Sequence, residues 1–483
     1  MKAKWLTGIL VGVLLLSVIQ PVAAEDDKTI EDEIIYDVLV DRFFNKKIEN
    51  DFDVDAQNPA MYSGGDFDGV VEQLLHVQEM GFTLLSIGPV FASDTYDGKQ
   101  VLDYNQLERH FGTEEELENM IAEAQELDLK LMIDVPTQSI SANHLWVAEN
   151  PQWFTENEDG TVALDTSNPD VQEALISTFK KFIEKFEVDA LRLQDAGQLD
   201  TGFIERFSEE MKSVRGMYVL SDQEMEPAAG FDAVVVPGVE ETLRSSFKNF
   251  DQDTSELPAL MEKSAGNLTR IDSLTGSRFT KDVLEESGFP PTRWRLVLSQ
   301  LLLMPGIPVV QYGSETAMSG DALPESHQIL DLAVDEELID HVTNLNSLRN
   351  DSAALRTGDI EILQEEDGWI VFKRSNDEES WIIAINNTSS TKTINLSADL
   401  IGDGKEMRGL FESDVVRQKS DGDYKITLDR ELVEAFNITE ERGLNSAYFI
   451  ALAVLYVGFL AFLWFVWRKG KQRKADAAAK RNA

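Results

Sequence analysis

Cysteine is absent from this chain of 483 residues. Neither a disulfide nor a thiolate metal site can therefore form, and a large apolar core must supply the stability. Basic residues are also scarce, because 43 Lys and Arg stand against 87 Asp and Glu and leave a formal net charge of −44. Since such a surface repels phosphates, we expect no nucleic acid partner. The acidity is typical of a solvated face that keeps an exported protein soluble.

Long apolar runs lie at both ends of the chain. The first 24 residues begin with Lys2 and Lys4, followed by an apolar stretch that ends in small residues at Ala24. This order predicts a cleavable secretory signal over residues 1–24, with an uncleaved anchor as the alternative. Residues 446–467 carry no charge and are long enough to cross a bilayer as a helix. A buried globular helix is the alternative for that second run.

The residues beside the second run predict its orientation. Residues 468–483 form a basic tail, and positive charge beside a span marks the cytoplasmic side. We therefore expect a single-pass protein of the cell membrane, with an extracytoplasmic globular part and a cytoplasmic tail. The polar residues 431–445 predict a linker between the globular part and the span.

Between these ends, two patterns follow one another. Residues 30–350 alternate short apolar runs with amphipathic stretches, which is typical of repeated βα units and predicts a closed (β/α)8 barrel. Residues 351–430 change to period-two alternation and predict a smaller antiparallel β domain. The eight runs predicted as barrel strands are IIYDVL, TLLSI, LKLMID, DALRL, MYVLS, DAVVV, NLTRI and IPVVQ.

Several longer segments carry a resemblance to a known family. The stretch LMPGIPVVQYGSE is the most specific of them. On these segments the chain resembles the alpha-amylase family, glycoside hydrolase family 13, over residues 34–430. The resemblance implies a catalytic barrel, a short excursion at residues 138–165 after the third strand, and a C-terminal β-sandwich. The other segments are IIYDVLVDRFFN, SGGDFDGV, HFGTEEELENMI, LDTSNPDVQ, RWRLVLSQ, LNSLRNDSAALRTGD and WIVFKRS.

The resemblance also implies a chemistry, but this chain does not have the expected residue at the nucleophile position. The family cleaves alpha-glucosidic bonds with retention, using a carboxylate nucleophile and an acid/base about 5 to 5.5 Å apart. Gln194 stands where the nucleophile is expected, and an amide cannot form a glycosyl ester. Asp195 is adjacent, but strand alternation predicts that it points away from the pocket unless a bulge intervenes. Arg192 of the same motif is retained, and we expect that no anion lies beside its guanidinium group to fix its orientation.

The two other carboxyl positions of the family also differ. Asp222 stands at the acid/base position with a side chain one methylene shorter than the family's Glu, and Glu224 follows two residues later. At the third acid position the chain has Thr275, preceded by Ser273 and Leu274 where the family has Asn and His. A shift of the alignment would bring in only Asp272, the acid just before this run.

The sugar-binding positions implied by the resemblance are substituted as well. Asp134 of the first motif is retained, whereas Gln138 and Ser139 replace the family's Asn and His. Lys99 and Gln100 stand where the family has a sugar-stacking Tyr and an Asp. These substitutions converge on the subsite where the sugar is attacked.

Calcium is a weak candidate in the loop after the first strand. Some relatives bind it there, and the matching positions here carry oxygen donors suited to a hard cation. Lys47 would occupy one ligand position and repel the ion. We therefore expect no cofactor, with calcium as the alternative. The candidate ligands are Asn45, Asn50, Asp51 and Asp66.

Three hypotheses about function follow from these residues. The first is a non-catalytic, membrane-anchored pseudoenzyme that binds, scaffolds or stabilises an unidentified protein partner. The second is a divergent alpha-glucan hydrolase or transglycosidase that uses Asp195 or Asp222 with Glu224. The third is an oligosaccharide receptor in which exposed aromatic residues of the excursion stack on sugars. Those aromatic residues are Trp146, Trp153 and Phe154.

Overall fold

The computed structural model divides the chain into two compact units. Among the described residues, one unit runs from the first of them to Thr393 and includes Thr427–Phe436, and the other comprises Ile394–Ile426 and the residues from Asn437 onward. The predicted signal sequence, residues 1–24, lies outside the described residues. The structure describes residues 28–332, 336–411, 414–420, 422–441 and 446–481.

Parallel strands close into an eight-stranded barrel in the first unit. Each barrel strand pairs with its neighbour in sequence, and the last pairs with the first. Apolar residues bury both faces of these strands, which is why each was recognisable as a continuous apolar run. The barrel prediction is confirmed, with one strand at each predicted run. The strands are β1 (Ile35–Asp37), β2 (Leu84–Ser86), β3 (Lys130–Val135), β4 (Ala190–Leu193), β5 (Tyr218–Glu224), β6 (Ala233–Val235), β7 (Leu268–Arg270) and β8 (Ile307–Gln311).

Amphipathic helices connect the barrel strands. Helix Pro169–Phe186 is representative: the Asn168 side chain accepts a hydrogen bond from the N–H of Asp170 and caps its first turn. It buries one apolar face and ends at Glu187, whose φ of 52° is left-handed. The helices of the first unit are Val40–Phe43, Phe67–Glu79, Glu114–Glu126, Leu145–Glu149, Pro169–Phe186, Thr201–Val214, Val239–Phe247, Leu257–Ser264, Phe279–Glu285, Pro290–Leu303, Glu336–Asp351 and Ala353–Thr357.

The excursion after β3 contains a short hairpin, in which Phe154–Glu156 pairs with Val162–Leu164. Trp146 and Trp153 contact each other edge to face, with ring centroids 5.7 Å apart. These rings pack within the excursion, as aromatic side chains in such loops commonly do. A second hairpin, Phe91–Ser93 with Val101–Leu107, follows β2.

Antiparallel strands follow the barrel, as predicted. Asp359–Glu366 pairs with Trp369–Ser375, which pairs with Ser380–Asn386. Strand Leu432–Glu440 lies where a linker over residues 431–445 was predicted, because buried Val433 and Phe436 interrupt a stretch that reads as polar. The remaining strands are Lys392–Leu396, Lys405–Gly409, Val415–Arg417 and Tyr424–Leu428, and helix Ala398–Ile401 lies among them.

A long helix, Ser446–Arg481, ends the described chain. Its segment Phe449–Lys471 has 23 residues and a mean hydropathy of 2.6, and none of its most apolar stretch is buried. A helix of this length and composition is suited to cross a bilayer. The described residues thus include one candidate membrane anchor, at the position predicted from the sequence.

Candidate active site

The carboxyl ends of β1, β3 and β4 are joined by a buried charge network. Arg192 binds Asp134 from Nε to Oδ1 at 2.7 Å and from Nη2 to Oδ2 at 2.8 Å. It also binds both oxygens of Asp37 at 2.9 Å. Burial opposes the charge of Arg192, but Asp134 and Asp37 outweigh burial and raise its pKa. The expectation that Arg192 has no anion to orient it is therefore wrong.

Gln194 is part of the same network. Its Nε2 donates a hydrogen bond to Asp134 Oδ2 at 2.9 Å, and the side chain is buried. The amide at the expected nucleophile position thus acts as a donor to a buried carboxylate. A buried carboxylate needs such donors, because an uncompensated negative charge is costly away from water.

Asp195 does not follow the strand alternation that the sequence predicted. Strand β4 ends at Leu193, and Asp195 has a left-handed φ of 54°. Its Oδ1 accepts a hydrogen bond from Gln223 Nε2 at 3.1 Å, so its carboxylate lies beside the end of β5. Alternation holds only while the backbone remains extended, so the prediction that Asp195 points away does not apply at this left-handed turn. Partial burial raises the pKa of Asp195, and the nearby charge of Lys99 opposes that rise.

Asp222 lies near the end of β5 and is only partly exposed. Its Oδ1 is buried and has no hydrogen-bond partner among the described residues. Burial raises the pKa of Asp222 to about 6, the positive charge of Arg192 opposes the rise, and the negative charges of Asp195 and Asp134 add to it. Asp222 therefore holds a proton at a pH where an ordinary carboxyl group is ionised.

Glu224 ends β5 and faces a different environment. The pairing of β5 with β6 is irregular, since Ala233 pairs with Leu220 but Val235 pairs with Glu224. Glu224 is exposed, and its Oε2 accepts a hydrogen bond from the N–H of Gly238 at 2.9 Å. The bulge therefore places Asp222 and Glu224 in different surroundings.

The third acid position is occupied by hydroxyl groups and approached by an acid from elsewhere. Thr275 is exposed, and Ser273 Oγ lies 3.3 Å from its hydroxyl. Ser273 also donates to Glu240, which lies just after β6. Arg270 at the end of β7 binds Glu240 and donates from Nη1 to the backbone carbonyl of Asp222 at 2.8 Å. The sequence reasoning missed Glu240 and Arg270 because it examined only positions matching family motifs.

Two residues next to the third acid position are buried in the fold. Leu274 is buried, and its carbonyl accepts a hydrogen bond from the ring of His327 at 2.9 Å. Asp272 is also buried and accepts from the N–H of Phe279 at 2.8 Å. Its carboxylate lies 3.9 Å from Arg278 Nη1. Asp272 is thus a buried structural carboxyl group.

The substituted sugar-binding positions have different surroundings in the structure. Lys99 is partly exposed and close enough to Asp195 for its charge to lower the pKa of that carboxyl group. Gln100 forms part of a tight turn, where its carbonyl accepts from Ser93 Oγ at 3.1 Å. Gln138 is buried and donates to the carbonyl of Leu164 in the excursion, while the adjacent Ser139 is partly exposed.

The calcium candidates are engaged in other contacts. Asp66 accepts hydrogen bonds from the N–H groups of Lys46, Lys47 and Gly69. Over the described ranges, no group of three or more His, Asp or Glu side chains is placed to hold a metal ion. Calcium binding here stays an untested alternative. Asn45 donates to Asp51, Asn50 donates to the carbonyl of His110, and Lys47 pairs with Glu116.

Comparison with known proteins gives two family matches. Residues 37–160 match the alpha amylase catalytic domain, and residues 358–436 match the alpha-amylase C-terminal domain. An Anoxybacillus alpha-amylase structure is 33% identical with a TM-score of 0.83, and the match covers 86% of this chain and 100% of that one. The alpha-amylase of Geobacillus thermoleovorans, solved with acarbose, is 30% identical over 86% of this chain and 100% of its own, with a TM-score of 0.81.

More distant relatives have related names. The maltogenic alpha-amylase of Bacillus acidopullulyticus is 24% identical over 77% of this chain and 72% of its own length. The beta/alpha-amylase of Paenibacillus polymyxa is also 24% identical, and the match spans 37% of that longer protein.

These names contradict the hypothesis of a non-catalytic pseudoenzyme. The relatives and structural neighbours are named as alpha-amylases and cyclomaltodextrinases, which are enzymes. The hypothesis took an amide at position 194 as the loss of the chemistry. The chain turns at Asp195, however, and Gln223 at the end of β5 donates a hydrogen bond to its carboxylate. The hypothesis of a binding or scaffolding module is therefore wrong.

Proposed function

This chain belongs to the alpha-amylase family, and from that premise we propose that it is a glycoside hydrolase or transglycosidase acting on alpha-glucans. The observation that carries the proposal is the placement of Asp195 and Asp222 at the ends of adjacent barrel strands, where Gln223, the neighbour of Asp222, donates a hydrogen bond to Asp195 Oδ1 at 3.1 Å. Active sites of such barrels lie at the carboxyl ends of the strands. The names of the relatives support the substrate class.

The environments of the two carboxyl groups support different roles. Burial of Asp222 favours its protonated form, which suits a general acid that protonates the leaving oxygen. Partial burial raises the pKa of Asp195, and the charge of Lys99 limits that rise and so favours the ionised form that a nucleophile needs. Retaining glycoside cleavage requires one protonated and one ionised carboxyl group.

The proposed reaction has two steps. Asp195 attacks the anomeric carbon and forms a glycosyl ester, while the proton of Asp222 moves to the departing glycosidic oxygen. Ionised Asp222 then removes a proton from water, whose oxygen attacks the anomeric carbon and releases Asp195 as a carboxylate. A sugar hydroxyl in place of that water gives transglycosylation. Both steps invert the anomeric carbon, so the product retains the configuration of the substrate.

Neighbouring residues support these roles without reacting. Arg192 supplies a fixed positive charge that opposes the rise in the Asp222 pKa, and Asp37 and Asp134 hold its guanidinium in place. Arg270 binds the backbone carbonyl of Asp222 and fixes the end of β5. A site held by buried, hydrogen-bonded side chains needs little rearrangement during reaction.

The location we propose follows from the two ends of the chain. A secretory signal over residues 1–24 would export the barrel, and the apolar helix would retain it at the membrane. The basic residues 468–483 favour a cytoplasmic tail. The enzyme would then act outside the cell on glucans that reach the membrane surface.

The test is turnover of maltooligosaccharides by the purified full-length protein, measured as released reducing sugar. We expect release by the wild type and a loss of at least about 10²-fold in Asp222→Ala and Asp195→Asn. The matched control is Glu224→Gln, which alters an exposed carboxylate on the same strand and should retain activity. Absence of release by the wild type, or equal release by all variants, would refute the proposal.

A further inference from the structure

Gln223 bridges the ends of β4 and β5. Its Nε2 donates a hydrogen bond to Asp195 Oδ1 at 3.1 Å. Its Oε1 accepts a hydrogen bond from the N–H of Gly197 at 2.9 Å. One amide group therefore binds both the carboxylate of Asp195 and the turn that follows it.

The backbone at Asp195 requires such support. Its φ of 54° is left-handed, a conformation that side chains with a Cβ atom disfavour. Unfavourable backbone conformations at functional sites persist when the surrounding contacts hold them in place. The turn Ala196–Gln198 directly follows, and Gln223 contacts it through Gly197.

The backbone at the end of β5 directs the side chain of Gln223 toward the turn that follows β4. The Ser221 hydroxyl accepts a hydrogen bond from the N–H of Gln223 at 3.1 Å, and the register of β5 shifts before Glu224. Such a bulge redirects side chains at the end of a strand. The amide of Gln223 therefore reaches the β4 turn, while Asp222 remains partly buried beside it.

We propose that Gln223 is a positioning residue that holds the Asp195 carboxylate in its attacking orientation and stabilises its ionised form. The inference rests on the proposed function, because it assigns Gln223 a role through Asp195. Gln223 itself does not react. Its sequence position beside Asp222 gives no indication of this role, since the contact depends on the bulge in β5 and the turn after β4.

Two charged groups act on Asp195 besides this neutral amide. Lys99, in the hairpin after β2, favours the ionised carboxylate. Asp222 on β5 interacts with it as a like charge. Removing the Nε2 donor of Gln223 removes a hydrogen bond to the charged form, which raises the pKa of Asp195. Because the reaction needs ionised Asp195, the acidic limb of the rate profile should move to higher pH.

Two variants separate the two hydrogen bonds of Gln223. Gln223→Ala removes both, whereas Gln223→Glu keeps an acceptor for Gly197 but replaces the donor to Asp195 by a negative charge. We expect both variants to lower kcat on maltooligosaccharides by about 10- to 10²-fold with KM changed less than about twofold. The acidic limb should move further in Gln223→Glu, because the added charge also repels ionised Asp195.

Hydrogen exchange provides a readout that does not depend on turnover. The N–H of Gly197 should exchange faster in Gln223→Ala than in the wild type and stay protected in Gln223→Glu. The matched control is Gln198→Ala, which removes an exposed glutamine of the same turn. It should leave kcat, the acidic limb and the exchange of Gly197 unchanged.

The outcomes of these experiments distinguish a failure of this inference from a failure of the proposed function on which it rests. An active wild type whose kcat and acidic limb are unchanged in both Gln223 variants overturns the positioning role and leaves the proposed function standing. A variant that loses activity with no movement of the acidic limb and a changed KM also overturns it. A wild type without turnover refutes the proposed function, and the inference with it.

Discussion

Gln194 and Asp195 are adjacent in the chain but interact with different carboxyl groups. The amide of Gln194 donates to Asp134 Oδ2 at 2.9 Å, whereas the charge of Asp195 acts on Asp222. The backbone is left-handed at Asp195, whose Oδ1 accepts a hydrogen bond from Gln223 Nε2. The structural amide and the carboxylate that we propose as the nucleophile are therefore consecutive residues in the chain.

A carboxylate at position 194 should not restore the family's chemistry. Gln194→Asp would remove a hydrogen-bond donor from Asp134 and place a like charge beside it. We expect a loss of about 1–3 kcal/mol in the free energy of unfolding, measured by urea denaturation, and no increase in kcat. Gln198→Asp is the control, since the same change at an exposed position should be nearly neutral. A rise in kcat for Gln194→Asp would count against Asp195 as the nucleophile.

The Arg192 network should be a major source of stability in the barrel. Arg192→Met leaves Asp37 and Asp134 buried without their cation, which should lower the free energy of unfolding by about 3–5 kcal/mol. Arg206→Met provides the comparison, because Arg206 pairs with Glu173 at an exposed position, where pairs contribute about 0–1 kcal/mol. Urea denaturation of both variants measures the difference. Similar losses in the two variants would mean that the network is not held as the structure indicates.

The pH dependence should report the proton of Asp222. A general acid is active in its protonated form, which is populated below its pKa of about 6 and lost as the pH rises. We therefore expect kcat/KM to fall about tenfold per pH unit well above pH ~6. Glu224→Gln should leave this basic limb in place. If that variant moved the limb, or if kcat/KM stayed level up to pH ~8, the proton would not reside on Asp222.

The apolar helix should determine how the protein associates with membranes. A chain ending at Glu441 lacks the segment Phe449–Lys471. We expect the full-length protein to require detergent or lipid for solubility, and the shortened chain to remain in solution without either. Flotation with liposomes measures the difference. Equal flotation of the two chains would place the membrane contact elsewhere.

The barrel could be predicted from the sequence because each of its strands has a recognisable local composition. Each strand is a short apolar run buried on both faces, so composition alone located all eight of them. The candidate anchor was recognisable for the same reason, since length and hydropathy are properties of one segment. The strand Leu432–Glu440 was missed because its few buried apolar residues lie within a polar stretch.

The site depended on contacts that no local pattern contains. Asp37 and Arg192 are 155 positions apart, and only closure of the barrel brings them together. The direction of Asp195 depends on one left-handed residue, which the assumption of a continuing strand excludes. Glu240 reaches Ser273 from the end of a different strand. Motif positions therefore indicate where the chain differs from the family but not which groups surround those positions.

Identification of the residue that becomes glycosylated tests the central proposal most directly. The full-length protein would be incubated with an activated fluorinated alpha-glucosyl donor whose covalent intermediate hydrolyses slowly, then digested and mapped by mass spectrometry. We predict a glucosyl adduct on Asp195 in the wild type, no adduct in Asp195→Asn, and an adduct that persists in Glu224→Gln. An adduct on any other carboxyl group, or none on an enzyme that turns over maltooligosaccharides, would contradict Asp195 as the nucleophile.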